Sequence, residues 1–411
     1  MQLVERHVIG KTDSRYQAID AAAFASKNLY NLANYHMRQS FIHTGTYLGY
    51  AAVYHLVKGS EAYTALPRKV SNDVLRLLDK NWKAFRNALA AWYEDPSQCL
   101  GRPCLPKYKD KQKGRNILIY DIQALSKKGL KRGVIQPSGL GGIVIHTKQT
   151  TVKQARIVPR VGYYVVEVVY ERKETQAAVE PALVAAIDIG VNNLAALTSN
   201  KVGFLPRLVN GRPLKSTNQY YNKRKASLQQ KLGTTGTTNR MERMTAKRTR
   251  RIDLYLHTTS KRIVALLVAE GIGTLVIGKN PYWKQEAEMR KKDKQHFVQL
   301  PHARFVDMLC YKARLVGIQV VLQEESYTSK ASFLDGDAIP TYGEVEQEPR
   351  FSGRRVKRGL YQASGKRFLN ADVNGSYNIL RKASPDAFGK GVEAVAVQPG
   401  RLTVRTGGHL S

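Results

Sequence analysis

Short apolar runs alternate with long helical segments between residues 183 and 383, and this alternation restricts the fold more than any other feature of the chain. The first run, "LVAAID", ends at Asp188, and Gly190 and Asn192 then turn the chain into a second apolar strand. The remaining predicted elements are helices over about 215–233 and 239–270, a strand over 274–280, a helix within 301–316, a strand over 318–325 and a helix over 370–383. Strands that alternate with helices favour an α/β sheet covered by helices.

The first 180 residues follow a different pattern. We predict a strand over 1–10, and then helices over 14–45 and over "PRKVSNDVLRLLDKNWKAFRNALAAWYED". Between about 115 and 173 the pattern is that of strands, with a hairpin turn at Arg160–Gly162. The polar stretch over 174–182 has the composition of a linker, and it is the best candidate for a domain boundary.

The charge of the chain is strongly unbalanced, with 66 Lys and Arg against 32 Asp and Glu and a formal net charge of +34. Such a charge attracts polyanions, and nucleic acid is a simpler explanation than a membrane surface. In "GRPCLPKYKDKQKGRNILIY" (101–120), basic residues surround Tyr108 and Tyr120, a mixture that suits phosphate contacts with base stacking. Taken alone this is a weak indication, because runs of charge are usually solvated surface.

The cysteine content and the hydropathy of the sequence indicate the cellular compartment of the protein. The three cysteines, Cys99, Cys104 and Cys310, form no disulfide framework, which suits a reducing environment. The start "MQLVERHVIGK" lacks the features of a signal peptide, and no apolar stretch has the length of a membrane span. We therefore expect a cytoplasmic protein without a membrane partner.

Carboxylates end one predicted element after another. Asp188 ends an apolar strand, Glu324 and Glu325 end another, and Asp372 opens the last helix. Carboxylates that converge at one edge of a sheet can bind divalent cations, and two such cations suit phosphodiester hydrolysis. The plainer alternative is that each residue is a turn, a cap or a solvated strand end.

Four segments, in order, resemble the RuvC-like nuclease segments of the TnpB family: "IDIGVNNLAALT", "LVIGKNPYWKQE", "ESYTSKASF" and "NADVNGSYNI". This family comprises transposon-encoded RNA-guided endonucleases related to the type V CRISPR effectors. "LPKYKDKQKGRN" and the N-terminal helices resemble the family's RNA- and DNA-binding lobe. The resemblance covers nearly the whole chain and is strongest from 183 to 383.

The resemblance implies Asp188 as the first catalytic carboxylate and Asp372 as the third. The family's second carboxylate is usually a Glu at the end of the strand that reads "TLVIGKN", where this chain has Gly278. In an RNase H-like sheet the next strand lies beside it and ends at the same edge, so Glu324 or Glu325 could replace the missing ligand. Alternation along a strand lets only one of the two face the site, and we slightly favour Glu324.

Two further expectations follow from the resemblance. Many family members carry a zinc ribbon with two CxxC pairs after the segment that matches "YTSK", but residues 311–411 contain no Cys, so we expect no zinc there. Asp335 and Asp337 are a weaker cation candidate, since Asp-Gly-Asp is more often a plain turn. Asn378 matches a family position and could orient a ligand or a water, the alternative being a surface amide on a helix.

We predict a multidomain α+β and α/β fold, with an N-terminal helical lobe inserted in a small β-barrel-like domain, followed by an RNase H-like (RuvC) mixed sheet with flanking helices. The predicted segments are a first β strand (1–13), a helical recognition lobe (14–98), a β nucleic-acid-binding domain (99–180), the first part of the nuclease domain (181–325), a degenerate zinc-ribbon or target-nucleic-acid-binding insertion (326–369), the last nuclease segment (370–390) and a tail (391–411).

The predicted function is that of an RNA-guided, Mg²⁺- or Mn²⁺-dependent DNA endonuclease encoded by an insertion-sequence-type transposon. Its expected partners are a guide RNA and double-stranded DNA with a short flanking motif, and a transposase of the same element is a further candidate. The main alternative is an RNA-guided DNA-binding regulator without cleavage, which Gly278 favours and the retained Asp188 and Asp372 oppose. A general RNA-binding protein explains the charge but not the ordered carboxylates.

Overall fold

The computed structural model describes residues 1–233, 236–279, 299–341, 343, 349–389 and 397–404. It divides the chain into two compact units, Met1–Arg172 and Lys173–Ser411. The segment predicted as a linker includes the start of a strand, because Glu180 pairs with Ile272 in the sheet of the second unit.

The first unit contains five α-helices, two of them long, and two antiparallel sheets. Its helices are α1 (Tyr16–Thr44), α2 (Tyr50–Val57), α3 (Glu61–Thr64), α4 (Arg68–Glu94) and α5 (Lys127–Lys131). Its strands are β1 (Gln2–Gly10), β2 (Leu118–Asp121), β3 (Val134–Ile135), β4 (Ile145–His146), β5 (Val152–Arg160) and β6 (Tyr163–Glu171). Helices α1–α4 are thus inserted between β1 and β2, as the sequence predicts.

The larger sheet of the first unit has the order β1-β6-β5-β2, and β3 pairs only with β4. The predicted barrel-like closure is therefore absent from the strands of residues 1–172, since β1 and β2 remain the two edges of an open sheet. The helical core lies between α1 and α4, where Met37 packs near Leu78 and Trp82. The buried indole of Trp82 donates to Asn34 Oδ1 at 2.9 Å, which satisfies its polar atom.

The second unit contains a six-stranded sheet and a separate three-stranded sheet. Its helices are α6 (Arg212–Leu232), α7 (Asn239–Ala269), α8 (His302–Arg314) and α9 (Ala371–Ala383). Its strands are β7 (Glu180–Asp188), β8 (Asn193–Ser199), β9 (Arg207–Asn210), β10 (Ile272–Gly278), β11 (Gln319–Gln323), β12 (Arg354–Lys357), β13 (Leu360–Gln362), β14 (Phe368–Asn370) and β15 (Gly400–Leu402).

The six strands have the order β11-β10-β7-β8-β9-β15, with β10 parallel to both β7 and β11 and with β8 antiparallel to its neighbours. Side chains alternate between the faces of β7: Ala185 and Ile187 pack toward α7 and α8, while Val184 and Ala186 pack toward α9. The central strands β7, β8 and β10 are therefore covered on both sides, which explains their nearly continuous apolar sequences, whereas Val321 and Leu322 of the edge strand β11 are exposed.

The segment predicted as an insertion (326–369) contains most of an antiparallel sheet that is formed by β12, β13 and β14. These strands have only three or four residues each, which is too few for a clear periodic signal. Among the described residues, no helix is long and apolar enough to cross a membrane.

Candidate active site

Three strand ends meet at one edge of the six-stranded sheet. Asp188 is the last residue of β7, Gly278 is the last residue of β10, and Gly278 pairs with Gln323, the last residue of β11. The prediction that the strand over 318–325 lies beside the strand over 274–280 and ends at the same edge is confirmed. Because β11 ends at Gln323, both glutamates lie just beyond the strand, where its alternation no longer decides their direction.

Gly278 leaves the space that the Glu325 carboxylate occupies. A Cβ added at Gly278 would lie 2.4 Å from Glu325 Oε2 and 2.6 Å from Ile379 Cδ1, both far inside van der Waals contact. Burial raises the pKa of Glu325 to about 8, and the negative charges of Asp188 and Glu324 add to the rise. The carboxylate of Glu325 thus crosses the end of β10 and interacts with Asp188 on β7.

Asp188 is packed closely against helix α9. A Cβ added at Gly375 would lie 2.9 Å from Asp188 Oδ2, so the missing side chain at this position lets the carboxylate approach the helix backbone. Burial raises the pKa of Asp188 to about 7, the Asp372 carboxylate adds to the rise, and Arg355 opposes it. Asp188 therefore experiences the negative charge of Asp372, and its own charge raises the pKa of Glu325.

Asp372 lies in the first turn of α9. The helix begins there because Asn370 caps it, accepting from the backbone N–H of Asp372 at 3.0 Å and of Val373 at 3.2 Å. Asn193 Nδ2 donates to Asp372 Oδ2 at 2.6 Å, and Arg355 approaches Asp372 Oδ1 at 3.6 Å. Two polar side chains from β8 and β12 therefore orient this carboxylate, and the sequence predicted neither of them.

Glu324 turns away from this group and forms an ion pair with Lys382. Lys382 Nζ donates to Glu324 Oε2, and the backbone N–H of Ser326 donates to Glu324 Oε1 at 2.6 Å. Burial by itself would raise the pKa of Glu324, but the hydrogen bonds from Lys382 and Ser326 and the charge of Lys382 lower it overall. The geometry therefore brings Glu325, and not the slightly favoured Glu324, into the space above Gly278.

The carboxylates of Asp188, Glu325 and Asp372 supply only oxygen ligands, which suits Mg²⁺ or Mn²⁺ and not zinc. Throughout the described ranges, no three His, Cys, Asp or Glu side chains are already arranged to hold a metal ion. Asp372 is held by Arg355 and Asn193. Burial and neighbouring negative charge raise the pKa values of Asp188 and Glu325, so a divalent cation bound beside them would favour their charged forms.

Asn378 is neither on the surface nor directed at the carboxylates. It is completely buried, and its Nδ2 donates to the carbonyl oxygens of Thr328 at 2.9 Å and Ala331 at 2.7 Å. Asn374, one turn earlier, donates to the same Ala331 carbonyl at 2.7 Å and accepts from the backbone N–H of Phe333 at 3.0 Å. Both asparagines fix the loop after β11 to α9, and the four-residue spacing of the two amides on one helix face could have indicated this role.

In the first unit, the basic loop within 101–120 lies along α1. Its carbonyl groups accept hydrogen bonds from α1: Asn34 Nδ2 donates to Pro106 O at 3.0 Å, and Asn31 Nδ2 donates to Lys109 O at 2.9 Å. Tyr108 is 45% exposed, with the Arg38 guanidinium 5.1 Å from its ring centroid, and the lysines at 107, 109, 111 and 113 are exposed. The backbone is therefore fixed while the cationic and aromatic side chains remain accessible.

Two family models match the chain. Residues 167–283 match OrfB_IS605, described as a probable transposase, and residues 302–379 match a Cas12f1-like TNB domain. Among curated proteins, none matches the chain significantly.

Three solved structures illustrate the similarity in fold. A Cas12f1–sgRNA–target DNA complex has a TM-score of 0.51 and 15% identity, with 89% of this chain and 83% of that chain covered. A CRISPR-Cas12f ternary complex (TM-score 0.36, 13% identity, 89% and 82% covered) and the mini-RNA-guided endonuclease CRISPR-Cas_phi3 (0.42, 8%, 93% and 92%) score below 0.5. The fold comparison therefore depends on the first structure, which shares a mixed α/β multidomain architecture.

The resemblance to TnpB proteins is confirmed by these matches, and the mixed six-stranded sheet is consistent with a RuvC-like domain. Residues 167–283 therefore resemble OrfB_IS605 (TnpB) proteins, and residues 302–379 resemble a Cas12f1-like TNB domain.

Proposed function

We propose that this protein is an RNA-guided, Mg²⁺-dependent DNA endonuclease in which Glu325 replaces the carboxylate missing at Gly278. The observation that carries the proposal is the position of Glu325, whose carboxylate occupies the space above Gly278 and interacts with Asp188. If Glu325 were merely a solvated strand end, neither the close approach to Gly278 nor the strongly raised pKa would be expected.

Asp188, Glu325 and Asp372 are the residues that would hold the metal. Bound there, Mg²⁺ would supply positive charge to activate the attacking water and to stabilise the leaving oxygen of the phosphodiester. Asn193 orients Asp372 through its hydrogen bond, and Arg355 supplies a positive charge that a DNA phosphate can share. Lys382 keeps Glu324 out of the group, so that only one of the adjacent glutamates acts as a ligand.

The resemblance to TnpB proteins and the positive net charge of the chain both support nucleic-acid binding. The net charge of +34 favours an anionic partner, and the loop along α1 presents accessible lysines beside Tyr108. We propose a guide RNA and a double-stranded DNA target as the partners, with sequence selected by base pairing and a short flanking motif read by the protein. A transposase encoded by the same element remains a candidate partner.

The decisive experiment compares four variants of the guided complex on a matched DNA target: Asp188→Ala, Glu325→Gln, Glu324→Gln and Asp372→Ala. Neutralising a metal ligand weakens metal binding and leaves unbalanced charge, so Asp188→Ala, Asp372→Ala and Glu325→Gln should lose at least about a hundredfold in cleavage rate. Glu324→Gln is the matched control and should stay within about threefold of wild type. Guided DNA binding, measured by mobility shift, should survive in all four variants.

Two outcomes would contradict this scheme. Full cleavage by Glu325→Gln beside a dead Asp188→Ala variant would remove Glu325 from the site. If the wild-type complex binds its target and never cuts it, the protein is better explained as an RNA-guided DNA-binding regulator without cleavage. This is the alternative that the missing carboxylate at Gly278 favours. Sequencing the RNA that copurifies with the protein tests the guide separately: one defined RNA is expected, and a heterogeneous mixture would favour a general RNA-binding protein.

A further inference from the structure

The TNB-like domain is expected to bind zinc in this family, but its residues here do not fit that metal. Residues 311–411 contain no Cys, and residues 303–408 contain no His, whereas structural zinc is held mainly by these two residue types. Two pairs with the CxxC spacing are nevertheless present: Ser332 and Asp335 precede Gly336, and Tyr361 and Ser364 precede Gly365. Both glycines have a positive φ, +68° and +60°, so each pair lies on a similar tight turn.

The four polar side chains of these two turns lie close together. Asp335 is at the centre, with its side chain 7% exposed. Its Oδ2 accepts from Ser332 Oγ at 2.6 Å and from the Ser364 N–H at 2.9 Å. Its Oδ1 accepts from Ser364 Oγ and from Arg367 at 2.5 Å. A carboxylate has about four acceptor positions, so Asp335 is saturated by donors from both turns.

Asp337 and Tyr361 extend the same network. Asp337 accepts from the Ser332 N–H at 2.8 Å, from the Ser352 N–H at 3.0 Å and from Ser352 Oγ at 2.6 Å. Tyr361 is completely buried and donates its hydroxyl to the Lys330 carbonyl at 2.7 Å. Since the oxygens of both aspartates already accept hydrogen bonds, the Asp-Gly-Asp segment serves as a structural turn and not as a cation site.

We propose that Ser332, Asp335, Tyr361 and Ser364 occupy the four positions at which relatives place zinc ligands. Hydrogen bonds join Ser332, Asp335 and Ser364, Tyr361 is tied to the Lys330 carbonyl, and this domain folds without zinc. The negatively charged carboxylate of Asp335 accepts hydrogen bonds from both turns and so holds them together. In a zinc site, the positively charged ion does this by binding thiolates. This inference depends on the match of residues 302–379 to a TNB domain, and it does not depend on whether the protein cleaves DNA.

The first test uses the full-length protein and two readouts that do not involve nuclease activity. Elemental analysis of protein expressed with added zinc should find far less than one zinc per chain. Treatment with a zinc chelator should leave the rate of trypsin cleavage within 350–367 unchanged. Stoichiometric zinc, or chelator-dependent cleavage, would overturn the proposal.

The second test removes the central charge. Asp335→Asn keeps the volume but loses the charged acceptor, and charged hydrogen bonds are the stronger ones, so trypsin cleavage within 350–367 should accelerate at least about tenfold. Ser364→Ala removes a single donor and should have a smaller effect in the same direction. Asp386→Asn, an exposed aspartate of the same unit, is the matched control and should change nothing. Equal cleavage rates for the Asp335→Asn variant and this control would contradict the proposal.

The third test restores thiols at all four positions, with Ser332→Cys, Asp335→Cys, Tyr361→Cys and Ser364→Cys in one chain. This variant should bind one zinc per chain, and chelation should now accelerate trypsin cleavage within 350–367. If it binds no zinc, or does not fold even when zinc is supplied, the four positions are not equivalent to zinc-ligand positions and the proposal fails in that part.

Discussion

Two groups of carboxylates in the second unit differ in how their charge is compensated. At the edge of the six-stranded sheet, burial and mutual repulsion raise the pKa of Asp188 to about 7 and of Glu325 to about 8. In the TNB-like domain burial acts in the same direction on Asp335, but hydrogen bonds from Ser332 and Ser364 and the charge of Arg367 lower its pKa overall. The first group has anions in excess and suits a cation ligand, whereas the second group is internally neutralised and serves the fold.

The largest expected effect concerns the space between Gly278 and Glu325. Gly278→Ala should lower cleavage at least about a hundredfold, because its Cβ would displace the Glu325 carboxylate from the group. Gly389→Ala is the control, since its added Cβ would meet only Asp386 O at an ordinary 3.5 Å. The measurement is single-turnover cleavage at saturating Mg²⁺.

The paired substitution sharpens this test. Glu325→Ala should abolish cleavage, and adding Gly278→Glu to it should restore activity at least about tenfold, since the two strand ends adjoin and only one carboxylate is needed. Unchanged cleavage by Gly278→Ala would show that Glu325 does not act from its position above Gly278.

Much of this arrangement could be predicted from the sequence. The apolar runs predicted the strands, and the order of helices and strands predicted the α/β unit. The resemblance to TnpB proteins implied that the strands over 274–280 and 318–325 end at the same edge. The orientation of the two glutamates could not be predicted, because it depends on Lys382, which lies 58 residues beyond Glu324 and captures that carboxylate. The alternation of side chains along a strand depends only on neighbouring residues, so it cannot indicate a partner that is so far away in the sequence.

The TNB-like cluster could be predicted only in part. The sequence excluded cysteine ligands and raised Asp335 and Asp337 as turn residues, but the network depends on Ser364 and Arg367, which approach from another turn. Strands β12, β13 and β14 bring this turn into position, and each has too few residues for a periodic pattern. Asn378 was expected to orient a ligand or a water, with a surface amide as the alternative. It is buried instead, and its partners lie in a loop that is distant in the sequence.

The second prediction concerns pH and metal affinity. A divalent cation binds the deprotonated carboxylates, whereas Asp188 and Glu325 keep their protons to about pH 7 and about pH 8. Affinity for Mn²⁺, measured by calorimetry, should therefore rise between pH 6 and pH 8 by about tenfold or more, and then level off. Glu324→Gln should preserve this rise and Glu325→Gln should reduce it, and a flat profile in the wild-type protein would contradict the assignment.

The third prediction compares thermal stability in the absence of metal. An aspartate in the unfolded chain titrates near pH 4. Because the pKa of Asp188 is raised in the folded protein, the folded state binds more protons between about pH 4 and 7, and stability falls as pH rises through that window. At pH 8, Asp188→Asn should therefore raise the unfolding temperature by about 2–4 °C.

Asp335→Asn should have the opposite sign. The lowered pKa of Asp335 means that its charged form stabilises the fold above the unfolded pKa, and this contribution is lost only as pH falls through the folded value. At pH 8 the variant should therefore unfold at a lower temperature than wild type, by a few degrees. Calorimetry with chelator present measures the unfolding temperatures of both variants. If both temperatures shifted in the same direction, the proposed difference between the two groups of carboxylates would be contradicted.

The smallest expected effect separates charges that bind nucleic acid from charges that hold the fold. Neutralising one phosphate-contacting lysine lowers affinity about uniformly across sequences and reduces the salt slope by about 1. The exposed Lys107 and Lys109, on the loop along α1, should each behave in this way when changed to Gln, against a wild-type log–log slope of about −5 or steeper. Lys153, which already pairs with Glu171 at 3.2 Å, is the matched control and should leave the slope unchanged. Binding titrations over a range of salt concentrations measure all three variants. If Lys107 and Lys109 matched the control, the loop would be solvated surface, and the nucleic acid would bind elsewhere on the protein.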